Sequence, residues 1–287
     1  MSGRAYDAIV LDLDGTLVAD DGHVRIAVRA RLRDAMEAGI VVMVATGRSE
    51  AACRDVVREL GVAVPVVVYN GAGLWCPTSG ELLEERLLSN RAVDRIFRAV
   101  DEYGLVPVVM SRGRKVAEPP RDEVVRRALA TMHELEYHRL EDVPREYLIR
   151  VTLMSERYDD SAALLADVER VVDVPTYLTH FPLAALAQHR ESPIQVVDVQ
   201  PPCRGKGEAL RWLAEELDIA PERVVCVGDA GNDVPMFRRA GLAVAMGNAL
   251  PDARAAAHRV IGDCNSDAIA ELIEEVLLDP VTGPSGR

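Results

Sequence analysis

The chain has 287 residues, 49% of them hydrophobic and 28% charged, with a formal net charge of -13. That suits a soluble globular protein of one large or two medium domains. The acidic balance excludes a nucleic-acid surface, which needs clustered Lys and Arg, and leaves no attraction to anionic membranes. The five cysteines, Cys53, Cys76, Cys203, Cys226 and Cys264, are odd in number and form no CxxC pair. They are expected as reduced thiols of a cytoplasmic protein rather than as a disulfide framework or zinc site. No window is long enough to span a membrane, and the first seven residues carry no leader-like pattern.

Only 4% of residues are aromatic, so the core is expected to be aliphatic and strands must be read from Val-rich runs. The N-terminal part alternates strands and helices: strand 7–11, helix 24–38, strand 40–45, helix 50–60, strand 64–69. Such alternation is the signature of βαβ units and a parallel sheet. Between about 87 and 197 the pattern changes. Helices are expected over 91–103, 121–133 and 160–172, among strands at 105–110, 147–154, 176–181 and 194–199. The first grammar then returns with helix 206–217, strand 223–227, helix 234–240 and strand 242–246. The expected fold is therefore α/β: a doubly wound parallel-sheet core from residues 1–86 and 199–278, with an inserted α+β domain over 87–198. The tail 279–287, rich in Pro and Gly without apolar pattern, is expected to be disordered.

Asp12 and Asp14 close the first strand, in the run Leu11-Asp12-Leu13-Asp14-Gly15-Thr16. Alternate side chains of an extended segment point the same way, so both carboxylates face one side and Leu13 the other. Two anions so close repel unless a cation lies between them or one takes up a proton. Ligands of open α/β sheets bind beyond the carboxyl ends of the strands, and there the other polar residues collect: Thr46 after the second strand, Asn70 after the third, and Asp229, Asn232 and Asp233 after the strand at 223–227. Lys206 opens a neighbouring helix. Each has a bland account, Thr46 as a helix cap, Lys206 as a solvated side chain, Asp229 as a turn former. Their joint placement points to one site.

The set Asp12-x-Asp14-Gly15-Thr16, Thr46-Gly47-Arg48, Lys206 and Gly228-Asp229-Ala230-Gly231-Asn232-Asp233, in that order, resembles the haloacid dehalogenase superfamily of phosphohydrolases. Asn70-Gly71-Ala72, Arg204-Gly205-Lys206-Gly207 and Ala245-Met246-Gly247-Asn248-Ala249 narrow the resemblance to the Cof-type branch, whose inserted α/β cap of the C2B type corresponds to 87–198. The resemblance implies a phosphoric monoester hydrolase acting through an aspartyl-phosphate, with Asp12 as nucleophile and Asp14 as general acid and base. It implies Mg²⁺ held by the side chains of Asp12 and Asp229 and the backbone carbonyl of Asp14. Asp233 would reach the metal indirectly or orient Lys206. Thr46 and Lys206 would stabilise the transferring oxygens, and Gly47, Arg48, Asn70 and Asn232 would complete substrate binding.

The implied substrate is a small phosphorylated metabolite, a sugar or polyol phosphate, handled by a monomer or homodimer. A phosphomutase or phosphotransferase of the phosphomannomutase-like type stays open, as does a non-catalytic phosphate-binding regulator, against which the intact Asp12 and Asp14 pair speaks. Departures from the family pattern are Cys203-Arg204 ahead of the Gly-Lys pair and Asn265-Ser266-Asp267 near the end. Arg204 either adds charge near the phosphate or is solvated. In the insert, Arg112, Arg114 and Lys115 form a basic hairpin candidate, and His180, His189 and Arg190 lie near the return to the core.

Overall fold

A computed structural model describes residues 4–278 apart from 112, 133 and 144. The expected disordered tail and Arg112 of the basic hairpin lie outside the described residues. The chain divides into two compact units, one of Met1–Ser49, Cys53–Leu83 and Arg204–Arg287, the other of Glu50–Ala52 and Glu84–Cys203.

The first unit is built on a five-stranded sheet in the order Arg259–Val260, Leu242–Ala245, Val224–Gly228, Ala8–Leu11, Val41–Val44. Every pairing in it is parallel. The strands are continuous apolar runs because both faces are covered, and Ala8, Ile9, Val10 and Leu11 are wholly buried. On one face Val10, Met43, Cys226 and Ala243 pack with Leu210, Leu213 and Phe237. Helix Ile26–Glu37 packs against helix Ala268–Ile273. From Ala8–Leu11 the chain proceeds to Val41–Val44 on one side, whereas the later strands add on the other. The topological switch therefore falls between Ala8–Leu11 and Val224–Gly228, where a crevice opens for ligands.

The expected third strand is Val66–Val68, but it joins the main sheet only through a single bridge, Ala45 to Val67. It belongs instead to a separate three-stranded sheet with Gly73–Trp75 and Leu82–Glu85. Tyr69 and Asn70, both left-handed with φ of 51°, turn the chain back on itself there. The helix expected from Lys206 begins at Glu208, after a 3-10 turn over Gly205–Gly207. Helices Pro251–Ala256 and Ala268–Ile273 and strand Arg259–Val260 were not legible, because segments of two to six residues are too short to show a period.

The second unit carries a six-stranded sheet in the order Tyr177–Pro182, Gln195–Gln200, Arg150–Ser155, Val106–Ser111, Arg114–Ala117, Leu135–Tyr137. The last pair is parallel and the other pairings are antiparallel. Alternation sends Val109, Val151, Leu153, Val197 and Val199 to one face, where they meet Ile96 and Phe97 of helix Asn90–Tyr103 and Leu164 and Val168 of helix Ser161–Val171. The opposite face receives Met110, Arg150, Thr152 and Asp198. Among the described residues no helix is long and apolar enough to cross a membrane.

Candidate active site in the first unit

The register of the parallel sheet assembles the site. Leu11 lies opposite Val227 on one side and Val44 on the other. The pairing continues one step past the strands, as Asp12 N–H donates to Val227 O at 3.0 Å and Ala45 N–H to Leu11 O at 3.0 Å. Asp12, Asp229 and Thr46 are thereby brought to one edge. Asp12, Thr46, Asn70, Lys206 and Asp233 are all buried, and for the ionisable Asp12, Lys206 and Asp233 that is rare unless they are paired.

Lys206 is the hub. Its side chain is fully buried, with Nζ at 2.8 Å from Asp12 Oδ1 and 2.6 Å from Asp233 Oδ1. The second oxygen of Asp233 accepts the backbone N–H groups of Asp229 at 2.8 Å and Ala230 at 2.9 Å. The Asp233 side chain therefore contacts Lys206 and shapes the Asp229 loop. Gly228 makes this possible, since a Cβ there would sit 2.3 Å from Asp233 Cγ. Gly15 meets a similar demand, having φ of +69° and a Cβ direction that points within 2.4 Å of Asp229 Oδ2.

The electrostatics follow from burial. Desolvation pushes the Asp12 carboxyl up to about 7, with Asp233 and Asp14 adding to the rise and Lys206 opposing it. Asp229 is likewise raised well above the usual carboxylate range, by burial first and then by Asp12 and Asp233. Burial alone would lower the Lys206 ammonium, but Asp12 and Asp233 reverse that and hold it charged. An excess of buried negative charge is what a bound cation relieves. One carboxylate oxygen from each of Asp12, Asp229 and Asp233 lies within 4.8 Å of the others. Hard oxygen donors so grouped fit Mg²⁺.

Asp12 and Asp14 do not share partners. The strand ends at Leu11, and the Asp14 carboxylate turns to the Arg48 guanidinium, which donates from Nε at 2.9 Å and Nη2 at 2.5 Å to its two oxygens. Arg48 in turn donates its backbone N–H to Thr46 Oγ1 at 3.1 Å. Burial works against the Arg48 charge, and Asp14, with smaller help from Cys53 and Asp12, outweighs it. Asn232 Nδ2 donates to Asn70 Oδ1 at 3.0 Å. A Cβ at Gly47 would lie 3.1 Å from the same Asn70 oxygen. The left-handed turn at Tyr69 and Asn70 is tied down by Asn70 N–H to Thr46 O at 3.0 Å and Tyr69 N–H to Arg48 O at 2.9 Å.

Two contributors carried no sequence signal of their own role. Thr16 Oγ1 donates to Asp229 Oδ1 at 3.2 Å. Asn248 bridges the Asp14 turn and a distant loop, with Nδ2 donating to Gly15 O at 2.8 Å and Oδ1 accepting Cys264 N–H at 3.0 Å. Both stood inside recognised motifs, so motif membership was the available cue. Arg204 is exposed, the solvated alternative of the two. Asn265 and Asp267 bind Asp20 N–H at 3.1 Å and Arg25 at 2.6 Å, anchoring the chain. In the second unit, Arg114 pairs with Glu136 at 2.7 Å, His180 Nδ1 lies 3.0 Å from Ser161 Oγ, and buried His189 lies 2.8 Å from Thr131 Oγ1. An open cavity of about 590 Å³ beside Arg54, Arg58 and Trp75 contains none of the clustered residues.

A family model described as haloacid dehalogenase-like hydrolase matches residues 9–273. The Bacillus subtilis protein YxeH is 27% identical over 280 residues, covering 95% of this chain and 99% of its own. Pyridoxal phosphate phosphatase YbhA of Escherichia coli is 27% identical over 279 residues, 94% of this chain and 98% of that protein. A crystal structure of a haloacid dehalogenase-like hydrolase from Bacteroides thetaiotaomicron superposes with a TM-score of 0.74 at 25% identity, over 94% of this chain and 99% of that one.

Proposed function

The chain belongs to the haloacid dehalogenase-like hydrolases, and on that premise we propose that it is a Mg²⁺-dependent phosphatase of a small phosphorylated metabolite, a sugar or polyol phosphate. The observation that carries the reading is Lys206, wholly buried and bonded to both Asp12 and Asp233. A cation held so rigidly beside a carboxylate is preorganised to receive a phosphate on that carboxylate. A merely structural pair would more cheaply be replaced by apolar side chains.

In the proposed reaction an Asp12 oxygen attacks phosphorus, and the bond to the leaving alcohol breaks. Asp14 protonates the departing oxygen. Water then attacks the aspartyl-phosphate, Asp14 takes its proton, and Asp12 is regenerated with release of inorganic phosphate. Lys206 and the Thr46 hydroxyl stabilise the transferring oxygens, and Asn70 positions Asn232. Asp12 and Asp229, with the Asp14 carbonyl, would hold Mg²⁺, and Asp233 supports that set through the Asp229 loop. Bound there, the cation supplies positive charge against the repulsion between an anionic nucleophile and an anionic substrate. The five free cysteines, Cys53, Cys76, Cys203, Cys226 and Cys264, support a cytoplasmic setting.

The test is phosphate release by purified protein with Mg²⁺ from a panel of sugar phosphates, polyol phosphates and pyridoxal phosphate, beside Asp12→Asn. Release from a sugar or polyol phosphate, lost by about 10³-fold or more in the variant, supports the reading. Absence of release from every substrate, or undiminished release by Asp12→Asn, sinks it. Isomerised sugar phosphate in place of free phosphate points to the mutase.

A further inference from the structure

One contact sits awkwardly with the roles proposed above and rests on them. Asp14, the proposed proton donor, has both carboxylate oxygens engaged by one guanidinium, Nε at 2.9 Å and Nη2 at 2.5 Å. A fork of this kind is the strongest form of Arg–carboxylate contact. It occupies the lone pairs on which Asp14 would carry a proton to the leaving oxygen. A carboxylate so held accepts two charged hydrogen bonds, and both of its oxygens are taken.

The same guanidinium is suited to another anion. Arg48 follows Thr46 by two residues and is hinged on it, its N–H bonded to Thr46 Oγ1 at 3.1 Å. Asp12 contributes to its electrostatic surroundings along with Asp14. Arg48 is held at the site by Asp14, two residues along the chain from the carboxylate on which a phosphoryl group would be formed. A phosphate dianion presents three oxygens in the geometry the fork binds, with more charge than a carboxylate. The side chain of Arg48 is 26% exposed and that of Asp14 43% exposed, so an incoming anion can reach both without unpacking the core.

We propose that Arg48 is a latch: its fork occupies both carboxylate oxygens of Asp14 in the resting enzyme, and the substrate phosphate draws the guanidinium onto itself, releasing those oxygens for the role proposed above. Phosphate and the Asp14 carboxylate compete for one cation. The competition couples substrate binding to arming of the acid and discourages proton delivery at an empty site. Arg48 is thus a positioning residue for Asp14 as well as a phosphate contact. A ligand shifts such an equilibrium only by its differential affinity for the two arrangements, so the coupling is readable in phosphate binding itself.

The experiment is calorimetric binding of inorganic phosphate, with Mg²⁺ present, to the full chain and to Asp14→Asn, each with Arg48 intact and with Arg48→Gln. With the latch, Asp14→Asn tightens phosphate roughly five- to tenfold when Arg48 is present, by freeing the guanidinium, and by no more than about twofold in the Arg48→Gln background. Equal tightening in both backgrounds is simple relief of charge repulsion and overturns the latch. No tightening in either background overturns it too. Arg48→Lys keeps the charge without the fork and should give an intermediate coupling. It carries the test alone if Arg48→Gln does not fold. Loss of coupling in an enzyme that still releases phosphate sinks the latch and leaves the phosphatase reading standing.

Discussion

Each unit of the molecule buries a cation beside a carboxylate, and the two sites are built differently. In the first, Lys206 is bonded at 2.8 and 2.6 Å to Asp12 and Asp233, and Asp233 is further bonded to two backbone amides. In the second, Arg150 approaches Asp198 only at 3.4 Å, and Nη2 donates to the Met110 sulfur at 2.9 Å. Asp198 has a second partner in the Thr152 hydroxyl. The first site spends its charge on fixed positions, as a phosphoryl-transfer centre must. The second keeps its carboxylate satisfied through a neutral donor and leans less on its cation.

Four measurements break or sharpen that contrast. Asp14→Asn should cut the rate about 10²- to 10⁴-fold, the usual worth of general acid–base catalysis, while Mg²⁺ affinity stays near that of the parent. A parallel loss of metal binding would mean that Asp14 serves the metal with its side chain. Next, Lys206→Met leaves two buried carboxylates uncompensated and should cost about 3–5 kcal/mol in denaturant melts. Arg150→Met, with Asp198 still bonded to Thr152, should cost about 1–3 kcal/mol. Equal costs would erase the distinction between the two sites.

The third concerns pH. The Asp12 carboxyl is raised to about 7 in the folded chain, burial being the main cause. Its contribution to stability is therefore complete below the ordinary value near 3.8 and is lost as pH rises through about 7. With metal chelated, the melting temperature should fall as pH rises from about 4 to about 7. Asp12→Asn or added Mg²⁺ should flatten the decline. A melting temperature that rises over that range without metal would contradict the assignment. The smallest effect belongs to His189, whose protonation burial disfavours. Its contribution is present above the ordinary value of 6.5 and is lost as pH falls through the lower folded value. His189→Gln should reduce the loss of stability at acid pH, by less than Asp12→Asn flattens the fall at rising pH.

Much of the core was legible because its strands are unbroken apolar runs ending in unusual polar residues, as at Leu11-Asp12 and Val227-Gly228-Asp229. Helix Glu50–Leu60 matches its expected span, since Glu, Gly61 and the apolar spacing agree there. The hairpin of Val66–Val68 and Gly73–Trp75 was not legible. Its turn depends on two non-glycine residues, Tyr69 and Asn70, adopting φ of 51°, a cost offset by tertiary contacts such as those to Thr46 and Arg48. The strand Leu135–Tyr137 was similarly hidden, being short and bearing a charged residue, whereas Arg114–Ala117 pairs antiparallel with Val106–Ser111 as the basic hairpin expected around Arg114 and Lys115.

The sequence by itself determined which residues gather. Strand ends in a parallel sheet lie side by side whatever the details of packing, so Asp12, Thr46, Asp229 and Lys206 could be assigned to one edge from order and motif alone. Only the tertiary structure decided how they divide their partners. Alternation along the chain put Asp12 and Asp14 on one side, but the strand stops at Leu11. Beyond that point the direction of a carboxylate is set by the nearest available cation, Lys206 from one loop and Arg48 from another. Such contacts join residues 34 and 194 positions apart in the chain (Arg48 with Asp14, and 206 − 12 for Lys206 with Asp12), and no local pattern encodes them.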